Sequence, residues 1–281
     1  MKIVEKSVSL PGGPRLQYAE HGPADGPAVL FLHGYSDSWR SFEAVLPRLP
    51  SRQRAIALSQ RGHGDSERPA TGYSMQDFAT DVERFLDALE IDSAVVVGHS
   101  MGASVAQRFA HDFPARTRGL VLVGGRADWR ANAHVQELGA YVAGPLADPV
   151  DRGFVRDFQS STVARPVAPG LLERVVAESL KVPARVWKAA FLDGILPADH
   201  AALLGRIEAP TLLVCGDLDA LAREGQEAMA AALPRARLRT YPAAGHSPHW
   251  EEPERFCEDV GEFVAGLATV AREARRVAAL T

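Results

Sequence analysis

A chain of 281 residues, 46% apolar and 23% charged, is large enough for one sizeable α/β domain with a well-filled core. Its formal net charge of −4 removes the electrostatic case for nucleic acid or an anionic membrane as partner. No apolar run approaches the roughly 18 residues of a transmembrane helix, and the two cysteines, Cys215 and Cys257, lie where buried free thiols are expected.

The opening MKIVEKSVSL lacks the apolar centre of a secretory signal, so a cytoplasmic location is the expectation. KSVSL, a PGGP turn and RLQYAEHG then read as a hairpin. AVLFLHG, residues 28–34, is an apolar run closed by glycine, as in a strand covered on both faces. SWRSFEAVLPRL has helical spacing, RAIALSQ returns to strand, and MQDFATDVERFLDALE is an amphipathic helix with Phe78, Val82, Phe85, Leu86 and Leu89 on one side. Strand SAVVVG, helix ASVAQRFAHDF and strand GLVLVGG follow.

After Gly125 the alternation stops. Residues 126–206 contain no convincing strand, several prolines and amphipathic pieces rich in Trp, Phe, Val and Leu. The alternation resumes with strand APTLLVCGD, helix EGQEAMAAAL, strand ARLRTYP and a last helix from about Pro253. Alternating elements of this kind imply a mostly parallel sheet between helices. Residues 1–125 and 207–281 then form one core domain. The interruption is too long for a plain loop, so residues 126–206 are expected to be a helical lid over the strands' carboxyl ends.

The stretch VVVGHSMGAS places Ser100 between Gly98 and Gly102 on a strand-to-helix corner. A G-x-S-x-G elbow lifts its serine above the sheet edge, at the amino end of a helix that favours developing negative charge. Such a serine needs a base and a group to orient it. His246, after the last strand, is the candidate base, with His249 as competitor. Asp219 is the candidate acid, reaching inward past the preceding strand, and Asp217 beside it reads as a turn residue. The amides of Met101 and Tyr35 are the candidate oxyanion donors.

Together, FLHGYSDSW, SQRGHGDS, VVVGHSMGAS, VCGDLDA and AGHSPHWEEPERF resemble the α/β-hydrolase superfamily, in its branch of capped bacterial esterases, lactonases and perhydrolase-like enzymes. The resemblance implies an eight-stranded, mostly parallel sheet with the lid inserted after the sixth strand. It also implies Ser100 as nucleophile, Asp219 and His246 as its triad partners, and Tyr35 and Met101 at the oxyanion. Ala103 and Gln60 depart from common family residues without touching the triad.

Around the substrate, the expected pocket residues are His33, Trp129, Phe158, Trp187 and Phe191, with His33 chiefly stiffening its loop. Six lid arginines, Arg126, Arg130, Arg152, Arg156, Arg165 and Arg185, are available to grip a carboxylate. No cofactor is expected: RGHGDS lacks the third glycine of a dinucleotide fingerprint, and no P-loop is present. No metal is expected either, because His246 and His249 lack the accompanying ligands of a zinc site. The expected partner is therefore a small molecule alone, bound by a monomer or homodimer. The leading expectation is hydrolysis of a small to medium, largely apolar ester or lactone. Hydrolysis of a carbon–carbon bond in a ring-cleavage product, suggested by Trp250 after the histidine, is the alternative within the same machinery. A ligand-binding signalling protein of the same fold is the alternative outside enzymes.

Overall fold

The computed structural model describes residues 2–278. Eight strands form one sheet: β1 (Val4–Ser9), β2 (Arg15–His21), β3 (Ala28–Leu32), β4 (Arg54–Leu58), β5 (Ala94–His99), β6 (Thr117–Val123), β7 (Thr211–Gly216) and β8 (Ala236–Tyr241). Their spatial order is β1-β2-β4-β3-β5-β6-β7-β8. β2 runs antiparallel to both of its neighbours, β1 across the PGGP hairpin and β4 on its other side, and all the remaining pairs are parallel.

Side chains alternate across a strand, and the core divides accordingly. Leu30, Leu32, Ile56, Leu58, Val96, Leu120, Leu122 and Leu213 face one layer. Val29, Phe31, Ala55, Ala57, Val95, Val97, Val121, Val123, Leu212 and Val214 face the other. The first layer holds helices α1 (Met75–Ala88) and α2 (Met101–Asp112). A capping box between Ser74 and Asp77 starts α1.

Between β6 and β7 lie α3 (Ala133–Ala143), α4 (Arg152–Ser160), α5 (Leu171–Ser179), α6 (Ala184–Ala189) and α7 (Ala201–Leu204); α6 runs on into a π turn, Ala190–Ile195. This helical insert follows the sixth strand. Its buried residues, including Val142, Val155, Trp187 and Phe191, are continuous with the core of the sheet's first face. At its neck a single bridge pairs Asp128 with Asp199, and the Arg130 guanidinium bonds both carboxylates at 2.9 and 2.6 Å. The chain closes with α8 (Arg223–Ala232), α9 (Pro248–Glu251) and α10 (Pro253–Ala278). Phe256, Val260 and Val264 of α10 cover the sheet's second face.

One expected helix is absent. Residues 38–49 make two 3₁₀ turns, Trp39–Phe42 and Leu46–Arg48. Pro47 has no N–H to return to Glu43, so a continuous α-helix cannot pass through it. The apolar spacing there serves Trp39, Phe42, Val45 and Leu46, all buried against the sheet.

Candidate active site

Ser100 joins β5 to α2 at φ +53° and ψ −113°, a costly conformation for a residue with a side chain. Its neighbours explain the corner. A Cβ on Gly98 would stand 2.2 Å from the Gly102 carbonyl oxygen, and one on Gly102 would stand 2.2 Å from that of Leu32. Strand and helix backbones therefore cross where only glycine fits, and the serine between them is turned out over the sheet edge. There it lines a cavity of about 420 Å³ with His246, Met101 and Tyr35.

β7 delivers Asp219 and β8 delivers His246 to the same edge. His246 Nδ1 lies 3.0 and 3.1 Å from the two Asp219 oxygens. The amides of Leu221 and Ala222 also donate to Asp219 Oδ1, at 2.9 and 3.0 Å. Burial works to raise this carboxyl, but His246 and the two amides outweigh it and hold the acid below its ordinary value. An ionised Asp219 requires the proton on His246 Nδ1, which leaves Nε2 free to accept one. The Ser100 hydroxyl has no hydrogen-bond partner among the described residues. Contacts of this kind commonly tighten only when substrate is bound.

Two further histidines pack beside His246. His99 Nε2 donates to the His246 carbonyl at 3.0 Å, and the His99 and His249 rings lie 4.5 Å apart. Burial, then the neighbouring His246, pushes His99 down to about 3, and burial also depresses His249 far below its ordinary value. Both rings are neutral and pack against each other, so His249 belongs to the wall behind His246.

The site separates the two acids cleanly. Asp217 makes no contact with His246; its backbone N–H donates to Tyr241 and its carbonyl accepts from Arg223. Of the expected pocket residues, Trp129, Phe158 and Phe191 line the cavity. His33 and Trp187 do not, and this corrects the reading from sequence. His33 lies beneath the loop, its Nε2 accepting from the Gln60 N–H at 3.0 Å and its Nδ1 donating to the Gly34 carbonyl at 2.7 Å. Gln60 completes the tie by donating to the His33 carbonyl at 2.9 Å. Trp187 stands behind Tyr35, whose hydroxyl donates to the Trp187 carbonyl at 2.7 Å. Spacing identified both as inward-facing but could not show that Tyr35 comes between Trp187 and the cavity.

The arginines of the helical insert are also committed elsewhere. Arg126 bonds the carbonyls of Asp128 and Leu221, Arg152 and Arg156 share Glu173, and Arg165 holds Glu252 with the carbonyls of Pro242 and Ala243. Arg185 caps the carbonyls of Arg68 and Pro69. Among the described residues no arginine or lysine lines the cavity, whereas Asp37, Glu137 and Asp157 do.

Asp37 and Gln159 escaped the sequence reading. Asp37 lies on the same loop as Tyr35 and is 2% exposed. Gln159 sits one turn beyond Val155 on the buried side of α4, so a polar residue on an apolar stripe was the available signal. Gln159 Nε2 donates to Asp37 Oδ1 at 2.9 Å, and Ser41 Oγ donates to Oδ2 at 3.3 Å.

Burial pushes the Asp37 carboxyl up to about 7 against these bonds. Because the folded carboxyl keeps its proton up to about pH 7 and the unfolded one loses it near 4, stability is fully present at low pH and falls as pH rises through that window. The loss is at most about 4 kcal/mol. Asp37→Asn, which cannot ionise, is therefore expected to raise Tm relative to the parent protein more at about pH 8 than at about pH 5. Calorimetry at the two pH values checks this, and an equal difference at both would remove the linkage.

A family model described as alpha/beta hydrolase fold matches residues 27–253. A 2-hydroxymuconate semialdehyde hydrolase from a Pseudomonas strain is 29% identical over 269 residues, which span 87% of this chain and 89% of its own. Among solved structures, a thermophilic esterase from Thermogutta terrifontis matches with a TM-score of 0.83 and 26% identity, over 94% of this chain and 99% of its own. An esterase from Rhodococcus matches with a TM-score of 0.79 and 25% identity, over 95% and 100%.

Proposed function

Because the chain belongs to the α/β-hydrolase family, we propose that it is a serine hydrolase that cleaves small to medium carboxylic esters or lactones without a negative charge, through an acyl-enzyme. The observation that carries this reading is the Asp219–His246 pair opening onto the same cavity as Ser100, under a largely apolar roof. In this reading His246 Nε2 takes the Ser100 proton as Oγ attacks the carbonyl carbon. The amides of Met101, at the first position of α2, and of Tyr35 stabilise the oxyanion. Collapse of the tetrahedral intermediate expels the alkoxide, which receives the proton from His246. Water then repeats the sequence on the acyl-enzyme and releases the acid.

Cavity electrostatics favour an acyl group without negative charge. A carboxylate-bearing ring-cleavage product would enter a cavity lined by three acids and, among the described residues, by no arginine or lysine. Trp250, which pointed from sequence toward carbon–carbon hydrolysis, is instead a packing residue whose indole donates to the Ser41 carbonyl at 2.9 Å. The relative that acts on 2-hydroxymuconate semialdehyde keeps the alternative open to experiment.

Size follows from the roof. At about 420 Å³ the cavity is near the small end of the roughly 300–1,000 Å³ usual for ligand sites. Tyr141 of α3 stacks on Phe154 of α4 at 4.2 Å, joining the two helices over it. In a p-nitrophenyl series, kcat/KM is expected to be highest for acetate to octanoate and to fall steeply at laurate. Preference for laurate would mean an open groove and a wrong account of the lid. Turnover of a vinylogous dienoic acid, with simple esters untouched, would replace the ester reading by the carbon–carbon one. A partner protein recruited only with ligand, in the absence of any turnover, would favour a signalling role.

A further inference from the structure

We propose that Asp37 is a specificity-determining residue of this cavity: a buried carboxylate, held by Gln159 and Ser41, that accepts a hydrogen bond from a hydroxyl or ammonium group on the substrate. The proposal rests on the esterase reading above and narrows its substrate class.

Asp37 follows β3 on the loop that carries Tyr35, so it shares the wall from which the oxyanion amide is offered. An ionised carboxylate has about four acceptor sites. Gln159 and Ser41 account for two, one on each oxygen. No arginine or lysine pairs with it among the described residues. A buried carboxylate without a cation is costly unless further donors reach it, and the cavity is where a further donor can arrive.

Its holders come from separate parts of the fold. Gln159 belongs to α4 of the lid, and its Nε2 also donates to Ser179 Oγ of α5 at 3.0 Å. Ser41 lies in the first 3₁₀ turn of the core and contacts His249 Nε2 at 3.3 Å. Anchored from both sides, the carboxylate has a fixed direction, and this is what allows it to select a ligand rather than merely attract one.

The charges around Asp37 leave room for this role. His246 favours its ionised form and Glu178 opposes it. Glu178 is itself paired with Arg40 at 3.6 Å and Lys181 at 2.9 Å. His99 and His249 are neutral, and Asp157 of α4 lies at the exposed side of the cavity. With its carboxyl pushed up to about 7 by burial, Asp37 is partly ionised near neutrality. A hydroxyl can bind it on either side of that value. An ammonium group gains as pH rises through it.

The test compares p-nitrophenyl 3-hydroxybutyrate with its 3-methoxy and 3-amino counterparts, and with plain butyrate. In the native protein the hydroxy ester is expected to exceed the methoxy ester in kcat/KM by about tenfold or more, since capping the oxygen removes only the donor. Asp37→Asn is expected to erase that preference. A preference for the amino ester that grows between about pH 6 and pH 8 would assign the site to ammonium, and a flat one to hydroxyl. Binding of the matching amides, followed by calorimetry, reads the same preference without turnover and, in the native protein, without any variant. Turnover of butyrate with no discrimination between hydroxy and methoxy compounds would overturn the subsite and leave the esterase reading standing. Inert esters, with an Asp37-dependent preference among the amides, would do the reverse.

Discussion

Replacing Ser100 by alanine is expected to lower kcat on p-nitrophenyl butyrate by on the order of 10⁴-fold or more, with KM and Tm little changed. The size follows from the chemistry: without Oγ there is no acyl-enzyme, and what survives is the help that positioned amides give to direct attack by water. The small effect on stability follows from the structure. The hydroxyl has no partner among the described residues, so its removal orphans no buried group, and alanine keeps the same Cβ at φ +53°. Single-turnover kinetics with an organophosphonate provide a second readout. The native protein should take one covalent label at Ser100, and the variant none. Wild-type activity in Ser100→Ala would end the nucleophilic mechanism.

Much of this site was legible because its parts depend on short stretches of chain. Gly98 and Gly102 flank a strand-to-helix corner whose backbone spacing admits no Cβ. A strand, a lone serine and a helix are therefore enough to locate the elbow. The covered strands were equally plain, since β3, β5 and β7 are buried along their whole length and must be apolar on both faces. Where reading from sequence erred, a distant partner made the difference. His33 and Trp187 carry the right chemistry for a pocket, yet Gln60 and Tyr35 hold them behind it. Residues 38–49 have the spacing of a helix, but one proline and a sheet face divide them into two turns. Asp37 and Gln159 lie 122 positions apart in sequence and meet only because the lid folds back over β3.

The lid arginines show the same limit in charge. Six cations near the elbow serine suggest a carboxylate clamp, but each ties a carboxylate, a backbone carbonyl or both. Exposed pairs of this kind contribute little individually to stability. Their consequence here is spatial. Arg165 and the Thr162 carbonyl, which accepts from the Ser247 amide at 3.0 Å, fasten the lid beside the loop that carries His246. A roof fastened next to His246 suits a closed pocket better than a groove that opens at an oil–water interface.

Asp219→Asn is expected to cost about 10⁴-fold in kcat, whereas Asp217→Asn should stay within a few-fold of the native enzyme. Two aspartates separated by one residue follow β7, and only the second reaches the imidazole. In the proposed mechanism Asp219 does two things there. It fixes the proton on His246 Nδ1, leaving Nε2 as the base, and its charge stabilises the imidazolium formed when Nε2 takes the serine proton. An asparagine has the same shape but can turn its NH₂ toward Nδ1. That stabilises the opposite tautomer and leaves the Nε2 proton pointing at Ser100. The Leu221 and Ala222 amides still need an acceptor, so the asparagine oxygen will stay with them and hold the NH₂ toward the ring. The same two bonds that steady the native carboxylate therefore make the variant worse. Asp217 has no such link: its Oδ1 is buried without a hydrogen-bond partner among the described residues, so an asparagine there breaks no contact at that oxygen. The pair should be assayed side by side over the full pH range, because a tautomer defect lowers the plateau whereas a charge lost away from the imidazole does not. Collapse of Asp217→Asn with Asp219→Asn intact would mean that the orienting acid is the other residue.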